Sequence, residues 1–179
     1  MKTNGRGLRD VACVAALVTL ALPGRVSAQD GQDMGIAIGA TAPQVTIQDL
    51  DGRPVNLGAM IGKKPLLIEF WATWCPLCAA LMPQLDSAQA RYQNKVAFVA
   101  VAVAVNETRA SVKRQLVKTP HAFPFLWDAN GAAVRAFQAP STSYIVVLDA
   151  QGKVVYTGLG DDQDIEAAVR KVVGGGAGR

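Results

Sequence analysis

Apolar and polar positions along this chain change period several times, and each change predicts an element. After Pro43 the apolar positions Val45, Ile47 and Leu50 alternate with polar ones, stop at Asp51-Gly52 and resume at Val55 and Leu57. This predicts a strand, a tight turn and a second strand, a hairpin capping the domain. Leu66-Leu67-Ile68-Glu69-Phe70-Trp71 is a nearly continuous apolar run after Lys63-Lys64-Pro65, the pattern of a strand buried on both faces of a sheet. From Cys75 to about Tyr92 the spacing becomes helical, with Leu77, Leu81, Leu85 and Ala88 on one stripe. Val96 to Val105 is rich in β-branched residues and predicts a second buried strand, too short to cross a membrane as a helix. Thr108 to Lys118 predicts a helix opened by a capping region at Asn106-Glu107. Phe123 to Trp127 is a short apolar segment ending at Asp128, and Asn130-Gly131 turns into a brief helix through Val134, Ala136 and Phe137. Tyr144 to Leu148 and Lys153 to Thr157, joined by Asp149-Ala150-Gln151-Gly152, predict a second hairpin. A last helix runs from about Asp162 to Val173, with Asp162, Asp164 and Glu166 at its positive end and Arg170 and Lys171 at its negative end.

Strand, helix, strand, helix, then hairpin and helix predicts an α/β fold, a mixed sheet with helices on both faces and a hairpin at its N-terminal end. Right-handed crossovers set the first two buried strands parallel. Cys75 and Cys78 then fall where the first of those strands meets its helix, at the carboxyl edge where open α/β sheets gather their sites.

The ends of the chain have a different character. Met1 to Asp10 is basic, Val11 to Leu22 is apolar, Pro23-Gly24 breaks the run, and Val26-Ser27-Ala28 precedes Gln29. That order predicts a secretory signal over residues 1–28, so that Cys13 is discarded with it. The apolar run falls short of the roughly 20 residues of a membrane span. Export to the periplasm is therefore the expectation, and retention of the uncleaved segment as a membrane anchor is the alternative. Residues 29–40 read as a flexible leader with no core face, residues 41–173 as one domain, and 174–179 as a glycine-rich tail.

Composition agrees with a single core: of 179 residues 50% are hydrophobic and 18% charged, which excludes a disordered chain, and 3 Cys are too few for a disulfide-built miniature. The formal charge of +4 is concentrated at the start, because Lys2, Arg6, Arg9, Asp10 and Arg25 lie in the signal segment. Removing them leaves +1 and no basic patch, so no nucleic-acid partner is expected.

An exported chain with only Cys75 and Cys78 left would ordinarily carry a structural disulfide. The loop they close is very small, and a bridge over a short loop stabilises little. Redox chemistry explains the pair better. At a helix start the first thiol faces free backbone N–H groups and the positive end of the dipole, which favour the thiolate. Cys75 is thus expected to be the exposed nucleophile, and Cys78, one turn in, the resolving thiol. Cys78 needs a base, and Glu69 is the one charged residue in its run; burial should raise its pKa and suit it to proton transfer. A strand-edge Glu69 paired with a lysine is the competing reading. Zinc lacks ligands, since the mature chain offers two Cys and His121. A Cu(I) site on Cys75, Cys78 and His121 remains the binding-module alternative, although a lone loop histidine such as His121 reads as solvated.

These residues resemble a family. Glu69-Phe70-Trp71-Ala72-Thr73-Trp74-Cys75-Pro76-Leu77-Cys78 with Pro83 looks like the active-site strand and helix of thioredoxins, whose buried carboxylate and helix-kinking proline hold the same offsets from the cysteines. Ala42-Pro43 through Leu57 to Pro65, Phe123 to Asp128 and Leu148 to Val155 look like the TlpA/ResA subgroup of exported thioredoxin-like proteins. The resemblance covers about residues 41–173. It implies a thioredoxin-like fold and a protein-disulfide reductase of the cytochrome c maturation or general periplasmic type. It also implies a monomer acting on protein thiol and disulfide substrates, kept reduced by a membrane electron donor, with no cofactor and no metal beyond the redox-active pair. Trp74, Pro76, Thr142 and Ser143 would contact the substrate. One departure stands out: the family's cis-proline position falls at Ser143, preceded by Thr142, with Pro140 three residues early. A non-proline cis bond costs about 2.5–4 kcal/mol, so a trans Thr142-Ser143 bond is expected. A loop without that proline also keeps a thiol peroxidase of the related peroxiredoxin branch as an alternative.

Overall fold

The computed structural model describes residues 34–174. The signal segment, the start of the leader and the tail beyond residue 174 lie outside the described residues. One seven-stranded sheet runs in the order β2-β1-β5-β4-β3-β6-β7. Its strands are β1 (Thr46–Asp49), β2 (Pro54–Asn56), β3 (Leu66–Trp71), β4 (Ala97–Val103), β5 (Phe125–Asp128), β6 (Tyr144–Leu148) and β7 (Val154–Leu159), and its helices are α1 (Pro76–Tyr92), α2 (Arg109–Lys118), α3 (Ala132–Ala136) and α4 (Ile165–Val173).

The two apolar runs lie at the centre, as their lack of alternation requires. β3 pairs in parallel with β4 and antiparallel with β6, so all six of its residues are buried. Alternation sorts their side chains. Leu67 and Trp71 join one core with α1, Val112 of α2 and Ile165, Ala168 and Val169 of α4, whereas Leu66, Ile68 and Phe70 join a second core with Ala133 and Phe137 beside α3. Helices thus cover both faces, three on one and the shortest on the other; the two successive right-handed crossovers from β3 through β4 to β5 put α1 and α2 on the same face.

Three details differ from the sequence reading. The Asp51-Gly52 hairpin does not cap the domain; β1 pairs antiparallel with β5 and extends the sheet. On α1 the buried stripe is Cys78, Leu81, Met82, Leu85 and Ala88, and Leu77 is 43% exposed because it lies in the first turn, beyond the sheet edge. The second half of the supposed leader is docked on the core through Ile36 and its backbone. Ile36 is buried, its N–H donates to Phe137 O and to the Tyr144 hydroxyl, and Gly39 N–H donates to Val154 O at 2.7 Å. Gly35 holds φ +94° against the Tyr144 ring, where a Cβ would collide with the hydroxyl. Short residues and backbone bonding achieve a docking that no apolar period announces.

Candidate active site

Cys75 is the N-cap of α1, with Pro76 at the first helical position, where its missing N–H costs nothing. The two cysteines are joined as a disulfide, and Cys75 Sγ accepts the Cys78 N–H at 3.1 Å. Cys75 is only 5% exposed and Cys78 is fully buried. The expected order of exposure is kept, but Cys75 is far less open than an exposed nucleophile would be, since the first turn folds over it. Pro76 is exposed beside it.

The loop ahead of Cys75 is clamped from the far end of β4. The Trp74 indole N–H donates to Val105 O at 2.8 Å, and Glu107 accepts from the Thr73 N–H at 2.7 Å and from its hydroxyl. Thr108 and Ser111, rather than Asn106-Glu107, form the capping box of α2, and the Glu107 carboxylate accepts from Thr73 and from the Ser111 hydroxyl. Trp74 itself is half exposed. It lines an apolar groove of about 210 Å³ with Val103, Val105, Ala139, Pro140 and Thr142.

Ser143 lies apart from that groove. It is fully buried at φ +62°, its N–H donates to Phe70 O at 2.7 Å, its hydroxyl accepts from Gly160 N–H, and its carbonyl accepts from the Gln163 amide. Every backbone group that it could have offered a substrate is spent inside the fold, which corrects its placement as a contact residue. Thr142 remains on the groove wall. No peptide bond among the described residues is cis.

Two carboxyl groups are wholly buried, and their fates differ. Asp128 at the end of β5 accepts the Ala132 and Val134 N–H groups that open α3. Glu69 has no hydrogen-bond partner on either oxygen. β3 is an interior strand, so the reading of Glu69 at a strand edge paired with a lysine is wrong. Its register partners Ala100 and Ile145 belong to the core that holds Cys75 and Cys78, so its side chain lies on the sheet face that α1 covers. Burial pushes its carboxyl well above the ordinary 4.5, and the charge of Asp86 pushes it further the same way.

His121 also departs from expectation. Its side chain is 9% exposed, its Nδ1 meets both Asp86 oxygens at 2.9 and 3.0 Å, and its ring lies against Phe123 and Phe125. The pair lines a cavity of about 340 Å³ that also touches Trp71, Cys75, Met82 and Pro83. Asp86, and the pairings of His121 and Glu107, escaped sequence reasoning because each partner is more than thirty residues away. No three His, Cys, Asp or Glu side chains among the described residues are grouped to hold a metal.

The chain matches the Redoxin family over residues 37–173. It is 29% identical over 139 residues to the thiol-disulfide oxidoreductase ResA of Geobacillus thermodenitrificans, covering 76% of this chain and 79% of the relative. It is 33% identical over 126 residues to the thioredoxin-like protein YneN of Bacillus subtilis, covering 69% and 72%. Among solved structures, a thiol:disulfide interchange protein of the thioredoxin family from Chlorobium tepidum superposes with a TM-score of 0.64 at 26% identity, over 76% of this chain and 98% of that one. With its dithiol pair at the head of α1 over a mixed sheet, the chain belongs to the Redoxin family, as a ResA/TlpA-like member of the thioredoxin superfamily.

Proposed function

We propose that this protein is an exported protein-disulfide reductase in which Cys75 attacks, Cys78 resolves and Glu69 moves the proton. It is a thiol-disulfide oxidoreductase. One juxtaposition carries the finer reading, a dithiol pair at the positive end of α1 above a central strand whose single charged side chain is buried with no partner. A carboxyl left orphaned in a core costs several kcal/mol and is retained where protonation is part of the work.

In the reduced protein the Cys75 thiolate attacks one sulfur of a client disulfide, and the other client sulfur leaves and takes a proton. Glu69 accepts the Cys78 proton; the Cys78 thiolate attacks Cys75 Sγ, the Cys75–client bond breaks, and the second client thiol departs. Two electrons reach the client and the Cys75–Cys78 disulfide remains, the state seen here. A membrane electron donor returns the dithiol, and no other cofactor is needed. The groove beside Trp74 and Thr142 supports client binding, its apolar walls suiting an unfolded or extended segment.

The reduction potential of the Cys75–Cys78 couple tests the direction, with insulin reduction in parallel. A reductase falls near the roughly −270 mV of strong reductants of this class; a value near about −120 mV, typical of strong oxidants, reverses the assignment.

A further inference from the structure

We propose that the Asp86–His121 pair, in the wall of the cavity beside Cys75, is the port through which the buried proton site exchanges with solvent. This rests on Glu69 serving as base for Cys78.

The need for a port follows from burial. A base that rests protonated must lose its proton before it can act, and Glu69 has neither solvent contact nor a hydrogen bond on either oxygen through which to release it. Helix geometry places the outlet. Cys78, Met82 and Asp86 recur at every fourth residue of α1, so they lie on one stripe, with Asp86 about 12 Å along the axis from Cys78. Cys78 and Met82 face the sheet, and Asp86 follows them with its side chain 44% exposed. Its charge reaches Glu69, whose carboxyl is raised first by burial and then by Asp86.

The histidine is built for exchange rather than display. Its Nδ1 is taken by both Asp86 oxygens, which holds the proton on that nitrogen and leaves Nε2 as the acceptor. Phe123 and Phe125 flank the ring, and Phe125 in turn meets Trp71 edge-on at 5.1 Å, so one aromatic row links the imidazole to the residue that ends β3. The cavity holds several water molecules' volume between these groups. Asp86, His121 and Cys75 line it, and the wall given by α2, Gln115 and Thr119, carries no charge. Glu69 lies behind that lining, two positions before Trp71 on the same face of β3. From α4, Glu166 is engaged by Arg91, Arg170 and the Tyr92 hydroxyl. When the packing of Trp71 and Met82 over Glu69 opens to the cavity, its proton passes to water there and to His121 Nε2 and then to bulk solvent, after which the ionised Glu69 takes the proton of Cys78.

The full chain, reduced and mixed with an aromatic disulfide whose thiolate is coloured, reports both steps: a first release for attack by Cys75 and a second for resolution by Cys78. Substituting His121→Ala slows the second release about tenfold near neutral pH, below the range of direct acid–base catalysis because water also carries protons. The first release stays within about twofold, since that step needs no buried proton. Added imidazole, which fits the vacated space, restores the second rate, and Asp86→Asn slows the second release as well. Glu69→Gln is run beside them. A slow second release in Glu69→Gln with none in His121→Ala overturns the port and leaves the base. An unchanged second release in Glu69→Gln overturns both. A slow second release in His121→Ala that imidazole does not restore, with an unchanged second release in Asp86→Asn, makes the pair a staple between α1 and the α2–β5 loop and likewise overturns the port.

Discussion

Replacing Glu69 with Gln isolates the energetic signature of the orphaned carboxyl. The substitution keeps shape and removes the titration, so other groups cancel when the two oxidised proteins are compared. Burial holds the folded carboxyl well above the 4.5 of an open glutamate. Between those two values the folded protein binds one proton more than the unfolded chain, so raising the pH favours unfolding, and the slope is about 1.4 kcal/mol per pH unit. Below the lower value both states are protonated and the parent and Glu69→Gln differ by roughly 1 kcal/mol or less. Above it the variant gains on the parent by that slope until the folded pKa is passed, and then the gap is constant. At about 2–4 °C per kcal/mol for a domain of this size, the difference in Tm widens by about 3–5 °C per pH unit. Thermal unfolding followed by circular dichroism across the acid and neutral range measures it, and the pH at which the gap flattens reads the folded pKa. Parallel Tm curves for the two proteins would refute the claim that this side chain is buried with its proton.

Other consequences are quicker to check. Cys78→Ser retains a client on Cys75 as a mixed disulfide that mass spectrometry detects, whereas Cys75→Ser captures nothing and loses insulin reduction; capture by Cys75→Ser would reverse the two roles. Glu107→Ala leaves the Thr73 N–H without its acceptor and costs about 1–3 kcal/mol, with slower client attack because the loop ahead of Cys75 loses its clamp. Unchanged stability and rate would show that Thr73 is held by other means. Ile36→Ala costs about 2 kcal/mol in chemical denaturation if that residue is core, and nothing if the segment before residue 41 is a free leader.

The sequence made the centre of the sheet legible because β3 and β4 are buried on both faces, and such strands write themselves as unbroken apolar runs. The single acidic interruption in the first of them, Glu69, was legible for the same reason. The hairpin's turn could be read from Asp51-Gly52, but its destination against β5 could not, since pairing across distant strands leaves no local period. Leu77 looked like a stripe residue because periodicity ignores where a helix overhangs its sheet. His121 and Asp86 lie 35 residues apart, and Glu107 and Thr73 lie 34 apart, so the contacts that define each exist only after the fold forms. Ser143 was misplaced because its environment is set by three backbone and side-chain bonds that spacing does not encode.

The pairing of residues 39–42 with 152–154 has a practical corollary. β7 is the outermost strand on its side of the sheet, and this stretch seals the place where it begins. A polypeptide trimmed to start at residue 43 would bare those amides and carbonyls, an adhesive margin inviting other molecules to add strands. Residues 39–42 therefore serve as a hem, and tethers or tags belong upstream of Met34.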